Sequence, residues 1–555
     1  MNKPLRIGLL IDAYDVPAWL EKMLEIINDA EYATVELVVK NKVPVPQRSF
    51  LQKLKANLPV IFFRIYQVAE RRLFRLHPDA FAVKDIAPLL KNVPLIEVTP
   101  VQKKFSDYLP KEDIEKIKGH DIDVFLRLGF RILRGDALKI ARYGVWSLHH
   151  GDNLENRGGP PGVWEVLMGW HKTGSVLQIL SEDLDGGDVL YRSWTVTDKT
   201  ALDRNANTYY WKTLAFIPRQ LKRLHQSGAA TFFEEIQQQN QHPSFYSNRL
   251  FKTPRNAAFS LLIIKHWANI FAKGIEKIFY KNQWALLYSI NKENRIAGSV
   301  FRFKKLRPPK DRFWADPCIV NDNGKYFLFF EELIFAEKNA HIAVVEIDPE
   351  TGDVSKPEIV LKTDYHLSYP FVFKNNGNWY MIPETMANKT IELWKSVSFP
   401  YKWEFEMNVM ENVLAVDSTI LFKDDKYWLF TNIAEHEGAC VSDELFIFSS
   451  PTLLSTNWQP HAANPVISDV ARARPAGRFF EWNGNLYRPS QDCSVGYGYA
   501  ININMVKELS EEKYAEEKVS SIVPNWDKKV KFTHTFSYEG QVTVIDGNFK
   551  RSRFI

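Results

Sequence analysis

The sequence predicts an α/β domain followed by an all-β domain, and three observations carry that prediction. Over residues 1–200, short β-branched runs alternate with amphipathic stretches, the texture of βαβ units on a mostly parallel sheet. Over 201–285, apolar residues recur at three- and four-residue spacings, as they do along helices. From 286 to 555, short aromatic-rich runs are separated by polar turns at nearly regular distances. The expected organisation is therefore an α/β domain at 1–200, a helical linker at 201–285 and an all-β domain at 286–555.

In the first region, RIGLLID reads as a buried strand, PAWLEKMLEIINDA as an amphipathic helix and ATVELVVKN as the next strand. DIDVFLRLG and GVWSLHH are further strands, with the helix-like GDALKIARYG between them. No G-x-G-x-x-G follows the first strand, so the sheet is Rossmann-like without the dinucleotide fingerprint. NTYYWKTLAFIPRQLKRLHQ and AAFSLLIIKHWANIFAKGIEKIFYK are the helices of the middle region. The second of these sets Trp267, Phe271 and Phe279 among Lys265, Lys273, Lys277 and Lys281. Such a helix can lie in a membrane interface as a peripheral contact, or pack between two domains.

The last region repeats one unit: an apolar run, a polar turn, an aromatic run. WADPCIV-NDNGKYFLFFE, LSYPFVF-KNNGNWYMIPE, AVDSTILF-KDDKYWLFTN and ARPAGRFF-EWNGNLYRPS are its anchors. Units of roughly 45–60 residues have the size of propeller blades, and about five fit the length. WALLYSI, beside Trp284, is the strand expected to close the ring.

Composition narrows the function classes. Hydrophobic residues at 45% and charged residues at 25% belong to a folded globular chain. Aromatics reach 14%, which suits an all-β portion with carbohydrate-type surfaces as well as a large core. A net charge of +5 over 555 residues points to no nucleic-acid partner. Three scattered cysteines make neither a disulfide framework nor a cysteine zinc site, and a reducing cytoplasm fits them. The first apolar run is short and interrupted by an acid, so it reads as a strand and not a signal peptide. Phe259 opens the longest apolar stretch elsewhere, which Lys265 and His266 break; the chain is expected to be soluble.

The stretch from Gly144 to Ser193 carries the first chemical motif. Ser147-Leu148-His149 ends a predicted strand, Arg157-Gly158 and Pro161 follow in a loop, and Thr173-Gly174 and Leu184-Asp185-Gly186-Gly187 lie downstream. This order resembles the catalytic core of folate-dependent formyltransferases over about residues 85–200. The resemblance implies formyltetrahydrofolate as donor and an amine as acceptor, with His149 handling the proton and Asp185 orienting the imidazole. The family's third residue is an Asn that polarises the formyl oxygen, and its position here holds Ser147. A hydroxyl is shorter than a carboxamide, and loss of one oxyanion donor costs about 10²–10³ in turnover. The following loop departs as well, with Gly151, Asp152, Asn153 and Leu154, so Asn153 or Asn156 is a candidate for the missing amide. Asn153, Asn156 and Arg157 are also candidate substrate contacts. His149, His150 and Asp152 do not suggest a metal site, because adjacent strand residues point to opposite faces.

The second motif is a set of polar residues at strand starts in the repeat region: Asp316, Tyr369-Pro370, Asp417 and Arg474-Pro475. Five-bladed glycosidase propellers bring carboxylates from such positions to the central axis as base, modulator and acid. Asp316 and Asp417 match that style, whereas the fourth repeat offers Arg472 and Arg474 where an acid is expected. WADP, HLSYPFVF, WYMIPE, ARPAG and LYRPSQDCSVGYG, in that order, resemble the propeller-type N-terminal domain of plant glucosamine inositolphosphorylceramide transferases over about 310–550. The resemblance implies a glycosidase-like five-bladed β-propeller linked to glycan or glycolipid assembly. Asp316, His366, Glu384, Asp417, Arg472, Arg474, Gln491 and Asp492 would line its polar centre. Carboxylates facing arginines can bind sugar or phosphate without hydrolysis.

Three functions follow from these motifs. The first is formyl transfer to an amine of a sugar nucleotide or glycolipid, with the propeller binding glycan. The others are glycosidase or glycosyl-transfer chemistry in the propeller, and glycan binding with changed or absent catalysis.

Overall fold

The computed structural model describes residues 3–43, 49–293 and 295–553. It divides into two compact units, Met1–Asn269 with His436–Cys440, and Ile270–Glu435 with Val441–Ile555.

In the first unit, β1 (Leu5–Ile11), α1 (Ala18–Asn28), β2 (Ala33–Asn41), α2 (Ile61–Leu73), β3 (Leu95–Val98), β4 (Val124–Arg127), β5 (Val145–His149), α3 (Val163–Leu167), β6 (Lys172–Ile179) and β7 (Val189–Val196) succeed one another along the chain. They build a seven-stranded sheet in the order β7-β6-β5-β4-β1-β2-β3. The strands from β5 to β3 pair in parallel, and β6 and β7 add antiparallel. Strand side chains alternate between faces, and both faces are covered. Ile7, Leu9 and Leu126 join Trp19, Met23 and Leu24 of α1 in one core, while Leu10, Leu37 and Phe125 join Ile114, Ile117 and Ile140 in another. Apolar runs without polar alternation are what such doubly covered strands require. GDALKIARYG forms only the 3-10 helix Gly135–Lys139 and not the expected α-helix.

The stretch 201–285 is not a separate linker. It contains α4 (Leu202–Thr213), α5 (Phe216–Gln239, interrupted at Gly228) and α6 (Asn256–Phe279). Trp211, Leu214, Phe216, Leu221, Phe232 and Ile236 bury themselves in the core that contains β1 and α1. Amphipathic spacing shows that a helix buries one face; it does not show against what. The boundary between the units falls inside α6, and the next strand, Tyr280–Ile290, already belongs to the second unit.

Among the described residues the second unit holds five antiparallel sheets, four of them formed by consecutive strands. Each of those four opens with a hairpin whose two central residues both have positive φ: Asn323-Gly324, Asn376-Gly377, Asp424-Asp425 and Asn483-Gly484. Such turns match the twist of paired strands, and Asn, Asp and Gly tolerate them best. The fifth sheet pairs Tyr280–Ile290 with Val542–Ser552 along its whole length, joining the start of the unit to its end. Successive sheets share apolar cores. Val320 and Phe329 meet Val372 and Met381, Ile382 meets Leu429, Phe430 meets Phe479, Ile501 meets Ile545, and Val544 meets Leu328. The last contact returns to the first sheet, so the arrangement is propeller-like.

Candidate functional site

The first candidate site lies at the end of β5. Ser147 pairs across the ladder with Gln178, and His149 with Val176. The loop after β5 turns back at once, because Gly151 lies against the imidazole. A Cβ there would sit 2.9 Å from His149 Nε2 and 3.1 Å from the Asn156 carbonyl. That carbonyl is 2.8 Å from His149 Nε2. A carbonyl only accepts, so Nε2 carries a proton, and Nδ1 is the ring nitrogen turned toward Asp185. Nδ1 lies 3.5 Å from Asp185 Oδ1, an ion-pair distance and longer than a strong hydrogen bond.

Asp185 is fixed by its own backbone. Its φ of 54° is left-handed, a conformation that Asp tolerates better than most residues. Asn153 Nδ2 donates to its carbonyl at 2.9 Å, and Asn153 Oδ1 accepts from Arg192 at 2.7 Å. Arg157 donates from Nε to the Asn153 carbonyl at 2.9 Å and from Nη1 to Leu184 O and Asp183. Both residues, expected as substrate contacts, hold the loop that presents Asp185. Asp152 accepts from Arg192 and from Trp194 Nε1, which secures the same loop from the other side. Asn156 Nδ2 donates to Glu165 of α3 at 2.8 Å, and burial pushes the Glu165 carboxyl above its usual range. Asn156 Oδ1, Glu165 Oε2 and Gln178 Oε1 are buried and receive no donor from the described residues.

The residue that sequence reading missed is Arg127, at the end of β4. Its Nη1 donates to Ser147 Oγ at 3.1 Å, while Nε and Nη2 are tied to the carbonyls of Arg131 and Phe130. Burial pulls the guanidinium below its ordinary value, against the opposing pull of Asp185, Asp12 and Asp107. The signal in the sequence was a cation inside the apolar run VFLRLG. His150 faces away, stacked on Tyr210 at 3.7 Å between ring centres and 3.1 Å from Thr213 Oγ1. Burial holds it neutral, with its pKa near 3.

The second candidate site gathers at the starts of the first strands of the second unit's sheets. Asp316, Tyr369 and Asp417 occupy equivalent positions, each at a register break and each with positive φ. A bulge re-aims the side chain that an unbroken strand would send into the sheet face. Asp417 accepts from Arg474 Nε at 2.6 Å and Nη2 at 3.2 Å, and from Gln491 Nε2 at 2.7 Å. Arg474 also reaches Glu384 at 3.4 Å and lies 4.7 Å from the centre of the Tyr497 ring. Asp316 accepts from Thr535 Oγ1 at 2.9 Å and stands 3.2 Å from His534 Nε2, whose Nδ1 is 2.5 Å from Asp546.

The charges are finely set against burial. Burial opposes a charged His534, yet Asp546 and Asp316 push its pKa up to about 9. Burial, with the nearby Asp316 carboxylate, pushes Glu331 well above the carboxylate range. Burial and Asp417 do the same for Glu384, although Arg474 pulls the other way. His366 accepts the Ala340 N–H at Nδ1, so its Nε2 donates toward Glu331 at 3.2 Å. Glu331, His534, Asp546 and Tyr497 were missed from sequence; Glu331 and Asp546 signalled themselves only as ionisable residues inside the apolar strands LFFEELI and VTVIDG, and His534 and Tyr497 lie outside strands. Arg472, expected at this centre, pairs elsewhere among the described residues. Its half-exposed side chain is 4.0 Å from Asp469. Asp492 caps the Ser494 N–H at 2.9 Å. Asp316, His534 and Asp546 present ligand-type atoms within 4.8 Å of one another, and those atoms are engaged with each other.

Comparison with known proteins divides along the same line. The family model described as glucosamine inositolphosphorylceramide transferase 1, N-terminal, matches residues 304–542. Glucosamine inositolphosphorylceramide transferase 1 of Arabidopsis thaliana is 34% identical over 209 residues, covering 37% of this chain and 27% of that protein. Methionyl-tRNA formyltransferase of a Prochlorococcus marinus strain is 33% identical over 102 residues, covering 18% of this chain and 30% of that protein. The chain thus spans less than a third of the length of either relative. A family 117 glycoside hydrolase of Zobellia galactanivorans aligns with 50% of this chain and 92% of its own at 10% identity and a TM-score of 0.32, too slight a likeness to argue from. The relatives matched in both halves are transferases, and the chain joins a formyltransferase-like half to a propeller-like half.

Proposed function

We propose that the first unit transfers a formyl group to an amine of a sugar nucleotide or glycolipid, and that the second unit, a five-bladed propeller on this reading, binds the glycan. The observation that carries the proposal is His149, held with Nε2 on the Asn156 carbonyl and Nδ1 toward Asp185. An attacking amine must shed a proton as its C–N bond forms. The lone pair of Nδ1 takes that proton, and the Asp185 carboxylate stabilises the resulting imidazolium. The imidazolium returns the proton to the donor nitrogen as the formyl C–N bond of the donor breaks and the deformylated donor leaves. Formyltetrahydrofolate supplies the one-carbon unit in the formyltransferases this half resembles. The buried acceptors Asn156 Oδ1, Glu165 Oε2 and Gln178 Oε1 suit a ligand that brings N–H donors, as an amine or a pterin does.

Arg127 offers an answer to the absent Asn. Its guanidinium polarises the Ser147 hydroxyl, and together they place positive potential where the formyl oxygen gains charge. Arg127 would then do through Ser147 what a carboxamide does alone. A reducing cytoplasm suits a chain with three scattered cysteines.

Calorimetric titration with 5-formyltetrahydrofolate, a stable analogue of the donor, tests this function. Micromolar binding that is lost in a His149→Ala/Asp185→Asn double variant is expected, followed by formylated product from an amino-sugar panel. Absence of binding at millimolar ligand removes the folate reading.

A second reading belongs to the propeller. Asp417 is held bidentate by Arg474, and Glu331 and Glu384 favour their protonated forms, so the centre offers donors and acceptors for sugar hydroxyls. Asp316→Asn tested beside His149→Ala separates the two. If only the propeller variant stops turnover of a glycan substrate, the chemistry lies there.

A further inference from the structure

In the first unit, α2 and the opening part of α6 up to Asn269 pack together by one face, and α6, which runs on to Phe279, leaves another apolar face in solvent. Asn256, opening α6, donates to the Leu58 carbonyl at 2.7 Å and accepts the Phe62 N–H at 3.1 Å. Phe259 stacks edge-on against Phe63 and Tyr66, and Leu262 and Ile263 pack beside them. That cluster also holds Val163, Val166 and Leu167 of α3, so the pair is seated firmly on the unit.

The other faces are bare. On and just before α2, Leu58, Phe62, Ile65 and Leu73 are 52–73% exposed. On α6, Leu261, Ile264, Phe271 and Ile278 are 62–74% exposed, with Trp267 and Ile275 partly so. Spacings of three and four put these α6 residues on one side of the helix, opposite the buried Phe259 and His266. A soluble surface seldom leaves so many large apolar side chains together.

Charge identifies what covers them. Lys55, Arg64, Arg72, Lys265, Lys273 and Lys277 are exposed on or beside these helices. The two helices carry only two acids. Glu70 is buried, and Glu276 is paired with Lys550 at 2.8 Å. An exposed apolar stripe edged by unopposed cations is complementary to a lipid surface with anionic headgroups: the side chains enter the acyl boundary while the cations stay among the phosphates. A protein partner burying the same stripe would gain nothing from that one-sided charge unless it were itself acidic. Among the described residues no helix is long and apolar enough to cross a membrane, so these helices would lie on it.

We propose that α2 and α6 form a peripheral docking surface for an anionic bilayer. The proposal stands whether or not the first unit transfers formyl groups. Co-sedimentation of the full chain with phosphatidylcholine–phosphatidylglycerol vesicles, against pure phosphatidylcholine, tests it. Binding to the anionic vesicles that falls as salt rises is expected. Ile264→Ser with Phe271→Ser should weaken it by more than about tenfold, and each of Lys265→Gln, Lys273→Gln and Lys277→Gln by roughly fivefold. These side chains are exposed, so the variants should keep the parent's melting temperature. Equal binding to neutral vesicles, no binding to either, or indifference to the substitutions overturns the proposal. So does sedimentation velocity showing a dimer that the apolar variant dissociates, which would make a second copy the occupant.

Discussion

Arg127 donates from Nη1 to the Oγ of Ser147 across 3.1 Å, joining the ends of two neighbouring parallel strands. The hydroxyl accepts from a buried cation and donates its own hydrogen only at 3.5 Å, to the Leu148 carbonyl, a contact long enough to give way to a closer acceptor. A serine in this setting is a stronger donor than one alone, because the guanidinium polarises it.

If the pair stabilises a developing oxyanion, Arg127→Ala should lower kcat by about 10²–10³. Ser147→Ala should cost roughly tenfold or more, and the two losses should be less than additive because one acts through the other. Rates of formylated product for the two variants and their double check this. Full additivity would place Arg127 outside the transfer step.

Gly151→Ala brings a methyl group to within 2.9 Å of His149 Nε2 and 3.1 Å of the Asn156 carbonyl that Nε2 faces. The imidazole must turn, breaking its bond to the Asn156 carbonyl and its line to Asp185. Turnover should drop by at least about tenfold with little change in KM for the amine. Steady-state kinetics on the variant decide it, and an unchanged kcat would show that the His149 orientation is not used.

The propeller's stability should fall as pH rises. The folded pKa of His534, about 9, exceeds its unfolded value of about 6.5. Its contribution is therefore complete below pH 6.5 and is lost as pH climbs through 9, a difference on the order of 3 kcal/mol. Glu331 and Glu384, whose protonated forms are favoured, push in the same direction. Melting temperature measured from pH 6 to 9.5 should decline, and His534→Gln should flatten the decline. A rising curve would mean that the Asp316–His534–Asp546 chain is not charged as described.

Arg474→Met removes the cation that pairs with buried Asp417 and leaves it the neutral donors Gln491 and protonated Glu384, and breaking such a pair costs about 3–5 kcal/mol. Adding Asp417→Asn should return much of that loss, since the stranded charge is then gone. Urea unfolding of both variants measures the difference. Equal stability of the single and double variants would show that water reaches Asp417.

The legible parts of this protein were those written locally. Apolar runs marked the strands of both units. Asn-Gly pairs marked three of the four hairpins, because few residues tolerate positive φ. WALLYSI was readable as a strand, and it pairs with Val542–Ser552. His149 and Asp185 came from motif order, and the structure places them 3.5 Å apart. Arg127 did not come this way: it is 20 residues from Ser147 in sequence, and only the parallel pairing of β4 with β5 makes them neighbours.

The same division explains the helices and the propeller centre. By itself the sequence determined that most of the stretch from 201 to 279 is helical and amphipathic and that polar residues, Asp316, Tyr369, Asp417 and Arg474, begin the repeats, since periodicity and turn chemistry are properties of short stretches. The tertiary structure alone decided that α4 and α5 bury their apolar faces in the first unit while α6 leaves a stripe exposed. It alone decided that Asn153 and Arg157 hold a loop in place, and that His534 and Asp546 meet Asp316 from 218 and 230 residues away. Burial, ion pairing and the choice of partner for an apolar face depend on what the rest of the chain brings near, and no local pattern encodes that.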